Sequence, residues 1–134
     1  MTNKKAIGLI DGKVEELKTI ISSLKVNETL SNSTRGTQLY AKGRDRRVLN
    51  LIKALVKQIP SDVELSEKDM DTFTLITCLA SERVARSSVV INEGDKLMDV
   101  LQKYASVKDI ARKIQTQCEK LGLHIDYTTG MISK

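Results

Sequence analysis

The chain has 134 residues, of which 40% are hydrophobic and 29% charged, with a formal net charge of +5; this suffices for one domain with its own core and is too apolar for a disordered chain. Aromatic residues make up only 3%, Trp is absent, and one Pro and seven Gly leave little turn material, so long helices packed through Leu, Ile, Val, Ala and Met are expected rather than many short strands. No apolar run reaches membrane-spanning length and the first residues lack the pattern of a secretion signal, which predicts cytoplasmic or nuclear residence and no membrane partner.

Taken in chain order, the first element runs from about Lys5 to Lys25. Ile7, Ile10, Val14, Leu17, Ile21 and Leu24 are spaced 3, 4, 3, 4, 3, a heptad seam that can pack within the chain or pair with a second copy to make a homo-oligomer. The polar stretch Val26 to Gly36, rich in Asn, Ser and Thr, reads as a loop. A second helix is expected from Gln38 or Gly43 to Ile59, stopped by Pro60, with Val48, Ile52, Leu55 and Ile59 inward.

Ser66 and Asp69 have the spacing of a capping box. The third helix they open runs to about Arg86 and carries Met70, Phe73, Leu75, Ile76, Cys78, Leu79 and Ala80; apolar residues over so wide an arc predict a central, enclosed helix. A short fourth helix is expected from Asn92 to Tyr104. A second capping box at Ser106 to Asp109 then starts a fifth, with Gly122 as its C-cap. The tail alternates with period two through Leu123 to Tyr127 and can turn at Thr128 to Gly130 into a small hairpin. The expected fold is therefore all-α: residues 1–134 as a single compact bundle of about five helices with a short C-terminal β-hairpin. Cys78 and Cys118 both lie inside helical patterns and are expected as buried free thiols.

The charge is concentrated. Residues 35–57 hold Arg35, Lys42, Arg44, Arg46, Arg47, Lys53 and Lys57 against Asp45 alone, a balance of +6, whereas residues 58–101 balance to −5. Arg46, Asn50, Lys53 and Lys57 repeat with the rhythm of the apolar stripe but two residues out of step, about 200° around a helix, which predicts a basic row opposite the buried one. The cluster Arg44, Arg46, Arg47 falls near the expected helix start, where the dipole is already positive, so helix stability does not explain it. Arginine forks suit phosphate, and the leading expectation is a non-enzymatic regulatory or accessory protein that grips the backbone of RNA or DNA through these seven residues, without sequence readout. Few aromatics accompany them, which argues against base stacking. Lys108, Arg112 and Lys113 form a secondary basic face on the fifth helix, and helix four, helix five and the hairpin have the order of a winged helix-turn-helix. The alternative function is a protein–protein adaptor or oligomeric scaffold that uses the heptad face, with the basic patch docking an acidic protein partner.

Catalytic and metal chemistry find little footing. His124 is the only histidine and the two cysteines are far apart, so no conventional zinc set or nucleophile–histidine pair is spaced for use. No glycine-rich phosphate loop occurs. No enzyme, metal, cofactor or small-molecule substrate is expected.

Overall fold

A computed structural model describes residues 1–86, 108–126 and 131–134 of the chain. Among the described residues there are four helices and one two-stranded sheet: α1 (Asn3–Val26), α2 (Asn32–Lys57), α3 (Glu67–Arg86), α4 (Lys108–Lys120), β1 (His124–Asp126) and β2 (Met131–Ser133). The described residues are mostly helical, in agreement with the all-α expectation. The helix expected from Asn92 to Tyr104, the second capping box at Ser106 and the tail turn at 128–130 lie outside the described residues.

The helices are ordered as the sequence alternates: α1 packs on α2, α2 on α3 and α3 on α4. Side-chain bonds tie their ends together. The Asn3 amide donates to the Ile59 carbonyl at 2.8 Å, so α1 begins where α2 ends. The Gln117 amide donates to Asp69 Oδ1 at 3.0 Å, so α4 ends where α3 begins. One core cluster links Ile10 and Val14 of α1, Leu51, Ile52, Leu55 and Val56 of α2, Phe73 and Ile76 of α3, and Ile110, Ile114 and Cys118 of α4 with the tail residues Leu123, Ile125 and Ile132.

Local chemistry sets the helix ends. Ser66 N–H donates to Asp69 Oδ2 at 2.9 Å while Asp69 N–H donates to Ser66 Oγ at 3.1 Å, the reciprocal capping box expected at the start of α3. Gly122 sits at φ +73. Leu123 N–H donates to the Cys118 carbonyl at 2.8 Å and Gly122 N–H to the Glu119 carbonyl at 3.0 Å, a Schellman closure of α4 whose apolar contact is Leu123 on Cys118. The strands after it pair antiparallel with Ile125 opposite Ile132, both turned into the core, as the period-two tail predicted. A Lys134 ammonium bond to Asp62 clips this tail to the α2–α3 connector and holds the Asp62 carboxyl below its ordinary pKa.

The second helix begins earlier than expected. Its N-cap is Ser31, whose hydroxyl accepts from Thr34 N–H at 3.2 Å, and Arg35 donates to the Asn32 side chain at 2.6 Å. The Asn, Ser and Thr cluster read as loop is thus a helix start, since the same short polar side chains serve both. Two consequences follow. The loop shrinks to residues 27–31, making α1 and α2 a tight hairpin, and Arg44, Arg46 and Arg47 stand mid-helix, beyond the reach of the N-terminal dipole.

The heptad face of α1 is used inside the chain. Ile10, Val14, Leu17 and Leu24 are buried, Ile7 and Ile21 half-buried. The third helix is less enclosed than its composition predicts: Phe73, Ile76 and Ala80 are fully or nearly covered, yet Leu75 is 68% and Leu79 44% exposed. Its packing against α2 and α4 leaves one apolar strip of the helix open.

Candidate functional site

The α2 helix divides into two unlike halves. From Leu51 to Val56 every residue is buried, whereas no residue of the helix before Leu51 is. The buried run includes Lys53, whose ammonium lies 2.7 Å from Asp11 Oδ1 of α1 with only 10% of its side chain exposed. This overturns the expected row of Arg46, Asn50, Lys53 and Lys57 opposite the core: in the C-terminal half α2 is covered on all sides, and Lys53 is committed to α1.

The remaining cations stay outside. Arg46 and Lys57 are exposed; Arg35, Lys42 and Arg47 are half-buried. Arg44 makes a loose 4.0 Å approach to Asp45, with 53% of its side chain exposed. Among the described residues, Lys42, Arg46, Arg47 and Lys57 form no ion pair. Arg35, Lys42 and Arg46 recur at intervals of seven and four residues, which keeps them within about 40° of one another around the helix, with Lys57 about 20° further on. Arg44 and Arg47 point well away from this row, about 180° and 120° from Arg35, so one flat ligand cannot touch all seven residues.

Among the described residues, two grooves flank the helices. The first, about 630 Å³, lies between α1, α2 and α3; its charged lining sets Lys13, Lys42 and Arg44 against Glu16, Asp45 and Glu82, an even balance over a floor of Leu17, Ile20, Val48 and Leu49. Here the acidic stretch that follows the basic segment in sequence meets it, through Glu82. Cys78 also lines this groove, half-buried and free.

The second groove, about 600 Å³, runs between α3 and α4. Its α4 wall carries Arg112, Lys113 and Lys120 with Asp109, and its α3 wall the exposed Leu75 and Leu79. Two of the three residues of the secondary basic face are thereby gathered, while the Lys108 side chain lies outside the described residues. Lys120 joins them unannounced, although its spacing of eight residues from Arg112 marks the same helix face.

Of the other chemistry-bearing residues, Cys118 is buried and free, and burial, followed by the neighbouring Glu119 charge, pushes its thiol up to about 11. Cys78 is half-buried rather than buried, so only one of the two thiols lies where the pattern placed it. His124 is an exposed strand residue paired in register with Ser133. Among the described residues no three His, Cys, Asp or Glu side chains come together as a metal site, and no helix is long and apolar enough to cross a membrane. No family model, curated protein or solved structure matches this chain. Its functional reading therefore rests on its own geometry.

Proposed function

We propose that the chain binds the phosphate backbone of nucleic acid along the outer face of α2, through Arg35, Lys42, Arg46 and Lys57, without reading base sequence. The observation that carries this reading is the unneutralised charge of that face: Lys42, Arg46 and Lys57 have no carboxylate partner among the described residues, although the chain pairs Lys53 with Asp11 at 2.7 Å one turn away. Leaving like charges in a row along one helix costs the free protein a little, and an anionic ligand removes that cost. Arg35 to Lys57 extends about 33 Å along the helix axis, comparable to the roughly 34 Å of one duplex turn, so the row can reach from one crossing of the phosphate backbone to the next. Arg44 and Arg47 add to the surrounding positive potential from the sides of the helix.

The test is fluorescence anisotropy of a labelled generic duplex of about 20 base pairs at increasing salt, spanning the range where backbone contacts weaken steeply. Four phosphate contacts give a slope of log K against log salt of about −3.6. Arg46→Glu with Lys57→Glu, both exposed positions, abolishes binding while leaving the circular dichroism unchanged, and Lys53→Met leaves affinity where it was. Absence of binding at about 50 mM salt, or equal loss with Lys53→Met, overturns the reading.

A further inference from the structure

We propose that the groove between α3 and α4 docks an acidic amphipathic helix from a partner protein, with the partner's apolar side seated on Leu75 and Leu79 and its acidic flank along α4. This is a second site, independent of the α2 face. Leu75 and Leu79 stand four residues apart, one above the other on α3, and are 68% and 44% exposed. Two leucines so placed, with charge beside them, can seat the i and i+4 anchors of an amphipathic partner helix. The opposite wall fixes the partner's chemistry. Among the described residues, Arg112, Lys113 and Lys120 line it against one carboxylate, Asp109, and none of the three cations forms an ion pair.

Arg112 to Lys120 covers about 12 Å of helix axis, enough for two acidic side chains of the partner one or two turns apart. Among the described residues the α3 wall contributes Thr72 and no charge, so the match there is one-sided: a helix with acids on both flanks gains nothing over one with acids on a single flank. A nucleic acid satisfies the cations but leaves the leucines facing sugar and phosphate, which is why the apolar strip favours a peptide.

The chain has no Trp, so a tryptophan in a peptide reports binding without background. The probe is an alanine-based helical peptide of about 16 residues, some four turns, with leucines at i and i+4, glutamates on one flank and a terminal tryptophan. Saturable binding is expected, weakened at least about tenfold by Leu75→Ser with Leu79→Ser, because each leucine loses its burial in the complex. Arg112→Glu with Lys120→Glu weakens it similarly, and a peptide with lysines in place of the glutamates does not bind. All four positions lie outside the core, and unchanged duplex binding by these variants shows that the fold and the α2 face are intact. Absence of saturable binding, insensitivity to the leucine pair, or loss of duplex binding on Arg112→Glu with Lys120→Glu overturns the proposal, the last by making this groove part of a nucleic-acid surface.

Discussion

Removing Asp11 should destabilise the protein far more than removing the lysine it pairs with. The Lys53 ammonium lies 2.7 Å from Asp11 Oδ1; the lysine side chain is 10% exposed and the aspartate 49%. Asp11→Ala leaves an almost enclosed ammonium without that carboxylate. Breaking a fully buried pair in this way costs about 3–5 kcal/mol, while fully exposed pairs are worth about 0–1 kcal/mol. With one buried and one half-exposed partner, the cost falls between, at about 2 kcal/mol. Lys53→Met keeps the volume of the lysine stem and frees an aspartate that water still reaches, so it lies within about 1 kcal/mol of the parent. The double variant Asp11→Ala with Lys53→Met recovers most of the loss. Urea denaturation followed by far-ultraviolet circular dichroism reads all three, and for a chain of this size the single Asp11→Ala change lowers Tm by roughly 8 °C. Equal costs for the two single variants, or a cost below about 0.5 kcal/mol for Asp11→Ala, would refute the claim that α1 holds Lys53 through its charge.

Two further outcomes follow from particular residues. Gly43 lies in the interior of α2 with nothing within 4 Å of an added Cβ, so Gly43→Ala stabilises by about 1 kcal/mol through helix propensity, whereas Gly122→Ala, at φ +73 in equally open space, destabilises by about 1 kcal/mol from backbone strain alone; Tm shifts of the same sign at both positions would contradict this. The raised Cys118 thiol makes folding hold a proton that the unfolded chain releases: its contribution is complete below about pH 9.0, where the unfolded thiol titrates, and declines as pH rises toward about 11. Cys118→Ala should therefore show a flatter fall in stability than the parent between those values, and at pH 8 iodoacetamide should label Cys78 well before Cys118, equal labelling rates counting against the burial of Cys118.

What the sequence disclosed was the part of the fold written in short-range chemistry. The seam from Ile7 to Leu24, the Ser66–Asp69 box, the Gly122 closure and the pairing of Ile125 with Ile132 each depend on residues a few positions apart, and each stands where the pattern put it. The start of α2 did not, because Asn, Ser and Thr near Ser31 make the same local bonds in a loop and in a cap. Lys53 was misplaced for a different reason. Helical periodicity placed it opposite Leu55, but its environment is set by Asp11 on another helix, which periodicity within α2 cannot register. Leu75 and Leu79 illustrate the complementary limit: an apolar residue on a helix has the same appearance in sequence whether a neighbour covers it or not, and only the placement of α2 and α4 shows which face of α3 was left open.

The division of α2 links stability to the candidate site. Its core residues occupy Leu51 to Val56, and the cations proposed to meet phosphate, Lys57 excepted, precede them on turns where no residue is buried. Charge can accumulate there because Arg44 and Arg46 are exposed and Arg35 and Lys42 only half-buried, so desolvation opposes it less than in the buried half, and Gly36 and Gly43, with open space above each, lower the intrinsic stability of the same turns. In the buried half one cation persists, and it is the one given a carboxylate. A surface retained only for solubility has no need to segregate its charges in this way; mixed signs along the helix would serve as well and would strengthen it through pairs three and four residues apart. The segregation of unpaired cations onto the less buried half of α2, more than the net charge of +5, is the physical reason to regard that half as a binding surface.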